Sequence, residues 1–561
     1  MDNKVSRFRA ENLAVLRQLR QSDVLILGGG VNGVAVLRDL ALNGVSAVLL
    51  EQNDFCAGAS GVSTRMAHGG LRYLENREFK LVAESARERN LLLKYAPHLT
   101  EPLKIILPLE SRLSGFWQSA LNFLGLGARR ARPNLLAVKL ALLVYEFFGR
   151  THRSLPRHST AMGIIDLPSN IKKTVKSYAS YYDGSFVNPE GLIFEMLTEA
   201  LEADSDCVAL NHIEWKTSPD GSLEIYDPLC GEQFTVMPKV VVNATGAWLD
   251  ETNNRLGVTT AYVSAVKGTH IVLRHNELLE RLDNRAFYFD DGSGRMVICN
   301  PLGKTILMGT TETASLAPSQ LCVEESEIRY LLRALSSLFD DIELDETHIV
   351  AAITGARPLR KSSTSDMYAA RRNHAVLSVT PEHKQYPILS MTGGKWTTFR
   401  PFAEKAVDDV LARLGKPRVV STMERSYLGT PSDDTVLPSE GDERSGMLYS
   451  RYGALWQEVA TYCLEQPDAP LTAMSAYSVR EIRWLIERRG AALLDDIILR
   501  RTTLAIDGLA TKDVLEEIAR ILAETKNQTT SWAATEVERC EQMPAIRYRP
   551  SAATGDNKHA A

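Results

Sequence analysis

Residues 28–33, Gly28-Gly29-Gly30-Val31-Asn32-Gly33, fit the spacing G-x-G-x-x-G. Each glycine of that spacing has a separate use. Gly28 permits a sharp turn, Gly30 lets the backbone approach a pyrophosphate, and Gly33 lets a helix pack close to a strand. Glu51 lies 23 residues after Gly28, where a carboxylate can accept hydrogen bonds from both hydroxyls of an adenosine ribose. A glycine motif alone also arises in structural turns, so its weight comes from the acid in register with it. Gly28, Gly30, Gly33 and Glu51 together predict a dinucleotide site, and the fingerprint leaves open which dinucleotide. Residues 53–65 are small and hydroxylated, with Ser60, Ser63 and Thr64 among them, and Gly69-Gly70 follows. They form either a solvated loop or a stretch threaded beside the cofactor, its hydroxyls and amides meeting phosphates. The position directly after the ribose acid favours threading. His270 is a candidate general base, because an imidazole titrates near working pH. The alternative is a core histidine satisfied by backbone.

Such groups need elements to hold them. Residues 24–27 are an apolar run of the length of a buried parallel strand. Val34, Leu37, Leu40 and Ala41 mark one helical face, ended by Asn43-Gly44, and 45–50 give a second strand. Residues 1–21 predict a short amphipathic helix using Phe8, Leu13, Leu16 and Leu19. A further helix is expected over 78–93, with Phe79, Val82, Ala86 and Leu93 inside and Glu/Arg outside. Asn188-Pro189-Glu190 precedes an amphipathic helix, and 240–248 read as a buried strand ending in a small-residue turn at Gly246. Residues 266–272, 287–289, 296–299 and 305–308 suggest an antiparallel sheet, with His270 at the start of its strand. A helix over 324–339 follows. Beyond about 425 the pattern is helical and charged, at 455–464, 478–489, 491–503 and 512–523. The polar tail after Pro550 is expected to lack fixed structure.

With 561 residues, two or three domains are expected, and 44% hydrophobic with 24% charged residues is ordinary for a globular protein. A net charge of −5 argues against a nucleic-acid partner. The seven cysteines are scattered without a C-x-x-C pair, which favours reduced thiols in a cytosolic compartment and no metal site. The N-terminus has no apolar signal core, and no run of 18 apolar residues exists to span a bilayer.

Residues 23–109, above all His68-Gly69-Gly70-Leu71-Arg72-Tyr73-Leu74-Glu75 and Ala96-Pro97-His98-Leu99, closely resemble the FAD-dependent glycerol-3-phosphate dehydrogenases. So do Thr354-Gly355-Ala356-Arg357-Pro358-Leu359, Ala370-Arg371-Arg372-Asn373 and Thr392-Gly393-Gly394-Lys395-Trp396-Thr397-Thr398-Phe399-Arg400. The resemblance spans most of 20–410 and weakens beyond, where Leu499-Arg500-Arg501-Thr502 still resembles the family's C-terminal helical domain. It implies FAD as cofactor. It also implies an α/β fold: a FAD-binding Rossmann-like domain of glutathione-reductase/D-amino-acid-oxidase type, an inserted antiparallel-sheet substrate domain and a C-terminal helical domain. The implied division is 20–110, 181–265 and 351–415 for the FAD-binding segments and 111–180 for an insertion or connection. The substrate domain takes 266–350 and the helical domain 425–545. Gly246, Gly394 and Thr397 would stand near the flavin.

For substrate, the resemblance implies oxidation of sn-glycerol 3-phosphate to dihydroxyacetone phosphate, with electrons passed to membrane quinone. Arginine suits a phosphate handle because its planar fork binds phosphate bidentately, and Arg72, Arg357 and Arg372 all fall in matching motifs. Lys395 would stabilise a reduced, anionic flavin or bind substrate oxygens, Tyr73 would orient the substrate, and His270 would accept the hydroxyl proton. His68 is left as structural. Three departures leave room for a related polyol phosphate such as erythritol phosphate: the 111–150 stretch, Asn373-His374, and Gly246-Ala247 where many relatives have Gly-Pro. An oxidase passing electrons to O₂ and a flavin protein that only binds partners are the competing readings, and the retention of His270, Arg357 and Lys395 opposes the latter. Oligomeric state, a homodimer included, is not readable from residues.

Residues 113–148 combine Phe116, Trp117, Phe123, Tyr145, Phe147 and Phe148 with basic Arg129, Arg130 and Arg132. Such a segment can lie in a membrane interface, apolar side chains in the acyl boundary and arginines toward anionic headgroups. The alternative is a core helix over 135–148. A quinone sits in lipid, so peripheral attachment to the inner face of the cell membrane is expected.

Overall fold

The computed structural model describes residues 6–74, 77–112, 134–314, 317–361 and 374–550. The basic cluster at Arg129, Arg130 and Arg132, the aromatics Phe116, Trp117 and Phe123, Arg372 and the tail after 550 lie outside the described residues.

Two sheets organise the molecule. The first carries the glycine turn, in the order 375–379, 388–392, 232–243, 21–27, 47–50, 208–210, all neighbours parallel except the antiparallel edge strand Ala375–Val379. Side chains alternate across a strand, and the alternation serves two cores here. Val24 and Ile26 face the helices Val31–Leu42, Pro189–Ala203 and Phe399–Leu414. Leu25 and Leu27 face Leu13 and Leu16 of the N-terminal helix Arg7–Gln18, together with Trp215 and Ile225. A strand buried on both faces must be apolar at every position, which is why 24–27 shows no polar alternation.

The second sheet has ten strands. Its path runs 313–314, 263–273, 305–309, 296–302, 285–290, 100–109, 177–186, 66–67, with Ile349–Arg360 also paired along Val263–Leu273. Most neighbours are antiparallel, but Arg285–Asp290 pairs parallel with Thr100–Leu109. The helix Glu325–Ser336 covers one face through Ile328, Leu331 and Leu335. The helix Leu135–Phe148 covers part of the other through Leu135, Leu142 and Tyr145. The substrate sheet therefore reaches beyond the expected 266–350. Thr100–Leu109, Ser177–Phe186 and Ile349–Arg360, assigned above to flavin-binding or connecting segments, are strands of it.

The helix Phe79–Tyr95 differs in its faces from expectation. Phe79 is 36% exposed, whereas Glu88 and Arg89 are buried. Each buried charge has a partner: Arg400 chelates Glu88, and Arg89 meets Asp183 at 2.6 Å. The C-terminal domain is a bundle of helices with its own apolar core around Trp484, Ile497, Leu515 and Ile518. It includes Glu443–Tyr452 and Thr530–Glu541, which were not expected.

Candidate active site

The glycine turn is built by close backbone approach. Gly28 has φ +106°, and a Cβ there would stand 2.8 Å from the Ala244 carbonyl oxygen. At Gly33 a Cβ would stand 2.0 Å from the Gly28 oxygen, so only glycine lets the helix start against the turn. Gly30 is different: its Cβ position meets only the Ser60 Oγ, at 3.2 Å, and the turn there faces a cavity of about 780 Å³. The helix Val31–Leu42 points its N-terminus into that cavity, with Ser60 Oγ accepting from the Val31 amide at 3.0 Å. Asn32 Oδ1 is buried beside it with no partner among the described residues. Glu51 accepts from the Gly29 and Asn53 amides at 2.6 and 2.8 Å, and burial raises its carboxyl above the usual range. An open glycine turn and the N-terminal end of a helix dipole, with a buried acid beside them, fit the phosphates and adenosine half of a dinucleotide.

The same cavity is lined by Ser60, Ser63, Thr64, Gly246, Gly394 and Thr397, expected beside the cofactor, and by Tyr73, His270, Arg357 and Lys395. Gly246 and Gly394 have φ of +60° and +95°. Ser63 Oγ accepts from the Arg65 amide at 3.2 Å, and Thr397 donates to the His68 carbonyl at 3.0 Å. Thr64, expected among phosphates, places its hydroxyl 3.2 Å from His270 Nε2 and so joins the threading loop to the candidate base.

His270 departs from expectation in two ways. It sits near the end of Val263–Leu273, not at its start. Its pKa is not near working pH either: burial, and then the charge of Arg357, lower it to about 3. The ring is neutral at pH 7 and its Nδ1 is buried without a partner among the described residues. It lies across Gly309 of the neighbouring strand, where a Cβ would come within 2.1 Å of His270 Cδ2. Gly309 is therefore a site residue that sequence reasoning missed, because its role depends on strand register.

Arg357 reaches Glu312 at 3.2 Å and Thr310 Oγ1 at 3.0 Å, two further residues missed from sequence. Lys395 donates to Ser85 Oγ at 2.8 Å and lies 4.0 Å over the Tyr73 ring. Tyr73 in turn covers Gly70, whose Cβ would fall 2.2 Å from the ring. Arg72 has its backbone in the turn Leu71–Leu74, and its side chain, like Arg372, is outside the described residues. Beneath this wall, Asp183 Oδ1 accepts from Arg89, the Tyr145 hydroxyl and the Gly69 amide at 2.6, 2.6 and 3.1 Å. The cavity thus places a neutral imidazole and two cations opposite a dinucleotide turn, an arrangement suited to redox chemistry on an anionic alcohol.

A parallel sheet with this turn, closed by a second sheet over one shared cavity, is the architecture of a dinucleotide-dependent oxidoreductase. Residues 23–400 match the family of FAD dependent oxidoreductases, and the chain belongs to it; its cofactor is FAD. Residues 433–534 match the C-terminal domain of alpha-glycerophosphate oxidase. Among curated relatives, a glycerol-3-phosphate dehydrogenase of Synechocystis is 29% identical, over 86% of this chain and 89% of its own. The aerobic glycerol-3-phosphate dehydrogenase of Escherichia coli is 26% identical over 86% and 94%, and a glycerol-3-phosphate dehydrogenase of Mycobacterium leprae 28% over 96% and 91%. The fold is that of the Bacillus halodurans glycerol-3-phosphate dehydrogenase solved with FAD, at TM-score 0.72 and 21% identity, covering 98% of this chain and 99% of that one.

Proposed function

We propose that this protein oxidises sn-glycerol 3-phosphate to dihydroxyacetone phosphate and passes the electrons to membrane quinone. The observation that carries the reading is the meeting of His270, Arg357 and Lys395 with the dinucleotide turn in one cavity. The relatives that match nearly the whole chain are themselves glycerol-3-phosphate dehydrogenases. Bound FAD supplies the two-electron acceptor. Arg357 grips the substrate phosphate, its charge held in place by Glu312 and Thr310. His270 Nε2, shared with the Thr64 hydroxyl, takes the proton of the reacting alcohol. A neutral ring can accept that proton at pH 7. Burial and the charge of Arg357 make it a weaker base than an exposed imidazole. Lys395, steadied over Tyr73, holds positive charge where negative charge accumulates.

Attachment to the inner face of the cell membrane belongs to the same proposal. Leu136, Leu140, Leu143 and Phe147 are 36, 48, 48 and 58% exposed, and their spacing makes one stripe along Leu135–Phe148. Among the described residues no helix is long and apolar enough to cross a membrane, so the stripe suits an interface contact.

The test is anaerobic bleaching of the purified yellow protein by a panel of polyols. Glycerol 3-phosphate should bleach the flavin rapidly and unphosphorylated glycerol should not. Equal bleaching by glycerol would remove the phosphate handle, and preference for a four-carbon phosphate would reassign the substrate. Turnover with O₂ as fast as with quinone would make the protein an oxidase.

A further inference from the structure

The loop that follows Glu51 lies under the pyrophosphate turn. Phe55 is buried against Gly29, whose Cβ position is 2.7 Å from the ring, and the Cys56 amide donates to the Gly29 carbonyl at 3.0 Å. Cys56 takes φ +68° to do so. Asp54, between Asn53 and Phe55, is 1% exposed and cannot carry its charge there alone. Its partners come from the far end of the chain. Arg501 binds both carboxylate oxygens, Nη1 at 2.5 Å and Nη2 at 2.8 Å, Arg500 donates through Nε, and Asn211 donates at 2.7 Å. Asp54, Asp496 and His212 are spaced like metal ligands, but the two guanidinium groups supply the positive charge.

Both arginines close the π-helical turn Ile497–Arg501, a geometry found often at functional sites. Arg501 is further fixed by the Arg489 carbonyl at 2.9 Å and by stacking 4.1 Å over Phe194. Arg500 spans to Asp495 and Asp496, and Asp496 holds His212, whose amide donates to Asn53 at 2.7 Å. A few residues on, the same stretch grips the other sheet. Arg274, just past the strand that bears His270, donates to the Asp507 and Gly508 carbonyls at 3.1 and 2.8 Å. Thr305, opening the strand that bears Gly309, donates to the Ile506 carbonyl at 2.9 Å.

We propose that residues 500–508 of the C-terminal helical domain are a strap that positions the flavin site, with Arg500 and Arg501 holding the pyrophosphate turn through Asp54 and residues 506–508 holding the opposing sheet. Arg500 and Arg501 are thus positioning residues, acting on the cofactor through Asp54, Phe55 and Cys56. The helical domain becomes part of the redox centre although none of its residues lines the cavity among those described. The inference rests on FAD alone and is indifferent to which polyol phosphate is oxidised.

The experiment measures FAD affinity directly. Apoprotein of wild type, Arg501→Leu and Asp54→Asn is titrated with FAD, following quenching of flavin fluorescence. Both variants should bind roughly tenfold to a hundredfold more weakly, the scale of one or two charge-assisted hydrogen bonds. Arg501→Lys should recover only part, since an ammonium cannot span both oxygens. Folded variants that hold FAD within twofold of wild type would overturn the strap. If the variants do not fold, wild-type chain decides by reciprocity of coupling. FAD should slow amide exchange across 497–508 as well as at the glycine turn, and protection confined to the turn would equally overturn it.

Discussion

At the residue scale the site separates binding from chemistry, and two substitutions should report them separately. Arg357→Leu removes a handle worth about 1.5–3 kcal/mol, so KM should rise roughly tenfold to a hundredfold with a smaller change in kcat. His270→Asn should instead slow flavin reduction by roughly 10²–10⁴ at saturating substrate. Stopped-flow bleaching distinguishes the two, and a His270 variant altered only in KM would take the base role away. The same histidine leaves a mark on stability. Its folded pKa of about 3 lies below the unfolded 6.5, so below about pH 6.5 the unfolded chain takes a proton that the folded one refuses. Stability contributed by this site therefore falls with pH between 6.5 and 3, by at most about 1.4 kcal/mol per pH unit. Chemical denaturation should show a shallower acid slope for His270→Asn than for wild type. Glycines 28 and 33 were legible in sequence because the turn that needs them is local. Gly309 and Glu312 were not, since each acquires its role from a strand pairing, and the pKa of His270 depends on burial that no local pattern encodes.

At the element scale, the helix Leu135–Phe148 divides its apolar residues between two surroundings. Leu135, Leu142 and Tyr145 are buried against the sheet, while Leu136, Leu140, Leu143 and Phe147 face outward. Sequence left a core helix and an interfacial helix as alternatives, and a run apolar all round could not separate them. The fold buries one face and leaves the other exposed. Leu140→Glu combined with Leu143→Glu should leave the fold intact, because neither side chain is buried, and should shift the protein off anionic vesicles in a flotation assay. Wild-type protein that never floats with such vesicles would remove the membrane from the proposal. Helices elsewhere were legible because amphipathic spacing is local. Segments 100–109, 177–186 and 349–360 were grouped largely with the flavin-binding or connecting stretches, whereas they pair in the second sheet, because strand neighbours are set by long-range pairing that local spacing does not carry.

At the scale of the whole molecule, the resemblance found the flavin family from motifs, yet not how the parts brace one another. In the sequence Asp54 is one acid of a loop, and Arg500 and Arg501 stand out only in a motif resembling the family's C-terminal helical domain. Only the fold brings residues over 400 positions apart into one buried group. The relatives' match over 433–534 named a C-terminal domain without a task, and the contacts to Asp54, Arg274 and Thr305 give it one.

Chain order has its own consequence for how the protein is made. Strand Gln21–Leu27, the first described strand in chain order, pairs on one side with Glu232–Asn243, which in turn pairs with Ile388–Thr392. The second sheet likewise waits for Ile349–Arg360 before Val263–Leu273 is covered. Non-local pairing of this kind makes folding slow and leaves strand edges open during synthesis. Nascent chains stalled after residue 360 should thus be cut readily by protease whether or not FAD is added, and chains extended past the helix Phe399–Leu414 should gain protection from it. Cofactor loading is in that case a nearly post-translational event.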